Sequence, residues 1–251
     1  MPSADMPSAD IAPPSRDPRV ADLVRAGRIR VGLFPPQYAR DAATGAATGV
    51  YVDLLQALAA RIGVEMVLVE KPTPAETVDA LNAGDCDLAS LGFDPVRAPL
   101  VGGFSPPFMR LEYTLMLPPG SPVHRIADLD RPGVRIAVVR DHASTLALGR
   151  ILRHAEQVGA DTPDDAFALL RDRQVDAWAS VVPVLLDYRG RLPGARVLDE
   201  RYGENQPAFV VAMGQEARLA YVSEFIEHAK ASGLVRQAIE RAGLTGLEVV
   251  P

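Results

Sequence analysis

Several short stretches of this 251-residue chain combine residue types that could hold a small polar molecule. The first is Phe93-Asp94-Pro95-Val96-Arg97, which follows directly on the apolar run LASLG. Asp94 is placed to cap a short turn that presents Arg97 one turn on, and a guanidinium there can grip a carboxylate through two parallel hydrogen bonds. The alternative is that Arg97 pairs with Asp94 or lies on the surface. The second is His142-Ala143-Ser144, which opens a helical pattern after VRIAVV, where unpaired backbone N–H groups and the helix dipole favour an anion; a plain N-cap is the other reading. The third, Phe34 to Tyr38, sets two aromatic rings around Pro35, Pro36 and Gln37. These rings could stack on a flat ligand or belong to the core. Ser90, Gly92 and Val181 stand at strand ends, and Glu204 adds a carboxylate that could meet a ligand amine or act as a general acid.

What must position these residues is a set of alternating strands and helices. IRVGLF ends at Pro35 as a strand, and Asp53 caps the helix DLLQALAARIG. VEMVLVE is a strand, TPAETVDALNAG a helix with Pro74 in its first turn, and CDLASLGF a strand. This β-α-β-α-β order implies a parallel sheet faced by helices. The order returns after residue 130, with VRIAVV a strand, STLALGRILRHAEQ and DDAFALLRDR helices, and VDAWASVV a strand. VDALNAGDCDLAS and FALLRDRQVDAWAS repeat the same helix-turn-strand unit, so one lobe is built twice. Proline-flanked FSPPFMRLEYTLMLPPGSP carries the chain out of the first lobe. AFVVAMG at residues 208 to 214 brings it back, and everything after it is expected to pack on the first lobe. The expected boundaries are a disordered leader and short helix at 1–27, a first lobe at 28–108 plus 209–251, and a second lobe at 109–208. Open parallel sheets bind ligands beyond their strand ends, so the residues above would face one cleft.

Composition narrows the partners. A formal net charge of −6, with no basic run, argues against nucleic acid. The lone Cys86 excludes an internal disulfide and reads as a buried apolar residue; nothing beside it has metal-ligand spacing. Trp178 reads as core, and His124, His154 and His228 as surface positions. No apolar run approaches a membrane span, and the MPSAD repeat at the start lacks the apolar stretch of a signal peptide.

Taken together, RVG at 30–32, GVYVDLLQALAARIGV at 49–64, ALNAGDCDLASLGFDPVRAPLVGGFSPPF at 80–108, IADLDRPGVRIAVV at 126–139 and SEFIEHAKASGLVRQAIERAG at the end carry a resemblance. From about Arg28 to Gly243 the chain resembles the family 3 bacterial extracellular solute-binding proteins, the polar amino acid binders of ABC transporters. The resemblance implies a type II periplasmic-binding-protein-like Venus flytrap, two α/β lobes joined by two hinge strands, acting as a periplasmic monomer that delivers a small-molecule ligand to a membrane ABC permease without a cofactor. It puts the family's carboxylate-gripping arginine on Arg97, its aromatic loop on Phe34 to Tyr38, and its hydroxyl-rich turn on Asp141 to Ser144, where only Ser144 keeps a hydroxyl. Two departures bear on the ligand. Val181 and Val182 stand where amino acid binders carry the aspartate that meets an α-ammonium, and Asp94 replaces a hydroxyl beside the arginine. The implied ligand is a carboxylate lacking the usual ammonium contact, or an amine met by Asp94 or Glu204.

Two rival functions use the same lobes. Cyclohexadienyl dehydratases resemble these binders and need a general acid, for which Glu204, Asp94 and His142 are the candidates. No motif specific to catalysis is present. Sensor domains fuse such lobes to kinases or DNA-binding helices.

Overall fold

The computed structural model describes residues 14–251. The expected disordered leader lies largely at residues 1–13, outside the described residues, and the short helix expected before residue 28 is Ala21–Ala26 (α1). The first lobe continues through β1 (Arg28–Leu33), a small hairpin of β2 (Ala39–Arg40) and β3 (Ala47–Thr48), α2 (Val50–Ile62), β4 (Glu65–Glu70), α3 (Pro74–Asn82), β5 (Leu88–Gly92) and β6 (Gly103–Phe104). The second lobe holds β7 (Met109–Leu117), β8 (Arg135–Val139), α4 (Ala143–Ile151), β9 (Glu156–Ala160), α5 (Pro163–Arg171), β10 (Ala177–Val181), α6 (Val182–Arg189), β11 (Arg196–Val197) and β12 (Gly203–Asn205). The chain then returns through β13 (Pro207–Val211), α7 (Glu216–Ala231), α8 (Leu234–Ala242) and β14 (Leu247–Val249).

Each lobe is a sheet clad in helices. The first sheet runs β4-β1-β5-β13-β6, with β1 parallel to both β4 and β5 and β13 antiparallel to β5. The second runs β11-β7-β10-β8-β9, its last three strands parallel. Residues 105–108 lead from the first sheet to the second, and Gln206 links β12 back to β13. The repeated unit noted in the sequence is real in detail: α3 and α5 each start on a Thr-Pro pair whose threonine hydroxyl accepts the third residue's N–H, from Glu76 at 3.2 Å and Asp165 at 3.1 Å. The first core forms where the apolar stripe of α2, including Leu54, Leu55, Leu58 and Ile62, meets β1, α7 and α8. Full burial of each such side chain contributes roughly 2 kcal/mol, which holds α7 and α8 against α2 and β1.

Three local expectations are corrected. The second helix starts at Val50 on Gly49, so Asp53 lies inside its first turn and its carboxylate pairs with Arg241 at 3.1 Å instead of capping. The helix expected through Gln157 stops at Ile151, and residues 156–160 form β9 beside β8. Asp130 brings this about, because its carboxylate accepts the N–H groups of Arg153, His154 and Ala155 at 2.8–3.0 Å and turns the chain. Not everything after residue 208 stays with the first lobe, since β14 pairs antiparallel with the start of β7, Leu247 opposite Leu111.

Candidate functional site

Between the lobes lies a cavity of about 660 Å³ whose walls come from the strand ends of both sheets. From the first lobe it receives Phe34, Gln37 and Tyr38 after β1, Gly92 at the end of β5 and Arg97 beyond it; from the second it receives His142, Ala143 and Ser144 at the start of α4, and Ser180 and Val181 at the end of β10. Met109 and Leu111 of β7 and Asn205 of β12 close it at the hinge side.

Arg97 is held by its loop as the residue spacing implied. Asp94 Oδ1 accepts the Val96 N–H at 2.9 Å and the Asp94 carbonyl accepts the Arg97 N–H at 3.0 Å, which coils the segment into one turn. Arg97 is 7 % exposed, and its guanidinium donates across the cleft to the carbonyl oxygen of Asp141. Burial draws its pKa down, and the charges of Asp94 and Asp141 oppose that. Among the described residues no carboxylate forms an ion pair with it. Asp94 itself is engaged elsewhere, with its Oδ2 accepting the Arg150 guanidinium of α4 at 2.6 Å.

The other candidates divide. Phe34 and His142 meet at 5.7 Å between ring centroids with their planes tilted by 60°, one ring from each lobe. Gln37 lines the cavity, but its side chain works internally: Oε1 accepts the Phe34 N–H at 3.2 Å and Nε2 donates to the Ser90 carbonyl at 3.0 Å. Tyr38 bonds to Glu70, and burial with that bond pushes its hydroxyl up to about 12. Val181 faces the cavity and Val182 is buried, so the end of β10 offers no carboxylate to an ammonium. Three expected residues fall outside the cavity: Asp94, paired with Arg150, and two others. Ser90 is fully buried within β5, its hydroxyl turned to the Ala208 carbonyl at 3.3 Å. Glu204 is exposed on β12, bound by Gln206 at 2.8 Å and near Arg110 at 3.8 Å. Asn205, which the sequence reading passed over, lines the cleft with its Oδ1 buried and without a partner among the described residues, and its amide fills the space that a side chain at position 92 would need.

His142 has a measurable consequence. Burial and the adjacent Arg97 charge lower its pKa from 6.5 to about 4, so the ring is neutral at pH 7. As pH falls below 6.5 the unfolded chain takes up this proton before the folded one, so stability is lost between pH 6.5 and 4. The loss amounts to roughly 2 kcal/mol after discounting for the ring's remaining contact with cleft water. In thermal melts across that window His142→Asn is expected to show a flatter profile than the parent; parallel profiles would refute the assignment.

Two α/β lobes that enclose a cavity and are joined by paired crossings define a two-lobed binding protein. The chain belongs to the bacterial extracellular solute-binding proteins, family 3, whose pattern it matches over residues 29–243. It is 31% identical over 132 residues to the virulence sensor protein BvgS of Bordetella bronchiseptica, covering 51% of this chain and 10% of that protein. It is 33% identical over 153 residues to the "Putative aliphatic sulfonates-binding protein" of Escherichia coli, covering 55% of this chain and 46% of that protein. The chain thus spans less than half the length of either relative. Among solved structures it is similar to the solute receptor for L-cysteine of Neisseria gonorrhoeae, with a TM-score of 0.80 at 24% identity over 89% of this chain and 92% of that one. It is also similar to an ancestral amino acid-binding protein, a precursor of cyclohexadienyl dehydratase, with a TM-score of 0.79 at 24% identity over 88% and 98% of the two chains. At that identity the structural likeness speaks for the fold.

Proposed function

We propose that this chain is the ligand-capturing component of an ABC-type importer, working outside the cytoplasmic membrane, and that it takes a small organic anion by its carboxylate or sulfonate. The observation that carries the reading is the buried Arg97 guanidinium, aimed across the cleft with no carboxylate of the described residues paired to it. A buried cation without a charged partner is costly, and an anionic ligand with two acceptor oxygens satisfies it. The N–H groups at the start of α4 favour the same charge. Val181 stands in place of an acid and Asp94 is taken by Arg150, so the end of β10 and the Arg97 turn offer no seat for an α-ammonium; the carboxylates that do line the cavity are Asp53, paired with Arg241, and the exposed Asp187 of α6. The sulfonate alternative gains support from the Escherichia coli relative, since an aliphatic sulfonate shares with a carboxylate a single negative charge carried on acceptor oxygens.

Capture needs no chemical step. Anion and aromatic contacts drawn from both lobes exist only when the lobes are together, so ligand shifts the hinge toward the closed form in proportion to that differential affinity. The enzyme alternative requires an acid in the cleft; of its candidates His142 is held neutral, Glu204 lies outside the cavity and Asp94 is paired with Arg150, while of the carboxylates lining the cavity Asp53 is paired with Arg241 and Asp187 is exposed. Calorimetry against amino acids, amines, organic acids and alkyl sulfonates tests the proposal. Micromolar binding of an acid that lacks an α-ammonium is the expected result, whereas tight binding of an ordinary α-amino acid, or turnover of prephenate or arogenate, would overturn it.

A further inference from the structure

We infer that Arg150, which does not line the cavity, governs anion capture by withdrawing Asp94 from Arg97 when the lobes close. The inference rests on the anion-binding reading of Arg97, and its basis is a placement of charges across the two lobes. Asp94 and Arg97 belong to one turn of the first lobe, and Arg150 sits in the last turn of α4 in the second. Asp94 is 3 % exposed, and each of its oxygens has a single donor: Val96 N–H on Oδ1 and the Arg150 guanidinium on Oδ2, at 2.6 Å.

With the lobes together, Asp94 and Arg150 pair with one another and Arg97 faces the ligand with no ion-pair partner among the described residues, the charges of Asp94 and Asp141 acting on it only at longer range. With the lobes apart, Arg150 leaves with α4. Asp94 then keeps only a backbone donor, and the cation remaining in its own turn is Arg97. The open site is therefore an internal ion pair of no net charge, with weak attraction for an anion. Closure assembles the positive site, so affinity and closure are coupled through a residue that makes no contact with ligand. The same arrangement explains how an aspartate is tolerated three residues before an anion-binding arginine, where its charge would otherwise oppose the ligand.

Removing the two partners has unequal consequences. Loss of Arg150 leaves a buried carboxylate unpaired in the closed form, whereas loss of the Asp94 charge leaves Arg150, whose side chain is 51 % exposed, free to enter water. Small-angle scattering of the ligand-free protein is thus expected to show the closed-to-open ratio of Arg150→Gln reduced about tenfold or more, that of Asp94→Asn changed less than about threefold, and the double variant returned to the level of Asp94→Asn. Titration with benzoate, a flat carboxylate without an ammonium, should follow the same order, Asp94→Asn rescuing the affinity lost in Arg150→Gln. A double variant as open as Arg150→Gln, or an Arg150→Gln protein as closed as the parent, overturns the inference. The scattering decides this whether or not benzoate binds; a parent that closes as described yet binds none of the anions would count against the anion reading alone. Thermal melts of each variant establish that the lobes are folded.

Discussion

Arg97→Met is expected to weaken capture of the preferred anion by about thirtyfold or more while leaving the ligand-free protein as stable as the parent, or more so. The two halves of this expectation have one cause. The guanidinium is buried, burial already disfavours its charge, and its recorded acceptor is the single carbonyl of Asp141. Ligand oxygens would supply the second and third acceptors that the protein does not. Truncating one partner of a buried, hydrogen-bonded charge pair costs about 2–5 kcal/mol, or roughly thirtyfold to several thousandfold in affinity. Without ligand the same change exchanges an under-solvated cation for a thioether, which a largely apolar cavity accommodates. Arg97→Lys keeps the charge but loses the planar fork, and belongs much nearer to Arg97→Met than to the parent. Calorimetry with the best-binding acid and scanning calorimetry of the free proteins check the two halves separately. If Arg97→Met bound that acid within threefold of the parent, the guanidinium would not be the anchor.

The parts of this site that were legible in the sequence are those set by short spacing. A strand end, an aspartate and an arginine three residues on define a turn in almost any setting, and the strand VRIAVV followed by a helical pattern puts His142 to Ser144 at a helix start. The valines after β10 were equally readable, because an absent acid needs no geometry. Where the reading failed, the deciding contact was distant in sequence. Asp130 ends α4 from more than twenty residues away, and no periodicity in STLALGRILRHAEQ announces it. Arg150 reaches Asp94 across 56 positions and from the other lobe. Ser90 was misplaced for a different reason: β5 is buried over its whole length, so the cleft begins only at its last residue, Gly92, and a hydroxyl two residues earlier meets β13 instead. Glu204 and Asn205 are neighbours on one strand and so point to opposite faces. Choosing the wrong one of the pair is a parity error that only the register of β12 on β7 resolves.

The second large effect is expected in the wall behind the cleft. Trp178→Ala should lower the stability of the protein by about 3–5 kcal/mol, the range for emptying a fully buried aromatic site. Trp178 is fully buried on β10, edge-on to Tyr188 of α6 at 5.0 Å and 6.3 Å from Phe167 of α5, with Arg191 stacked over the Tyr188 ring at 4.3 Å. Tyr188 also lines the ligand cavity. The void would therefore open directly behind one wall of the binding site, and a looser Tyr188 should weaken ligand binding besides destabilising the fold. Trp178→Phe separates the contributions. It keeps a ring against Tyr188 and deletes an indole N–H that is buried without an acceptor among the described residues, so its cost should be about 1 kcal/mol. Urea unfolding followed by circular dichroism is the appropriate measurement, since this is the chain's single tryptophan and both variants abolish its fluorescence. In the parent that same residue becomes a reporter: a ligand that presses on Tyr188 should shift its emission, and a Trp178→Ala protein within 1 kcal/mol of the parent would mean that α6 is held to its sheet by something other than this aromatic stack.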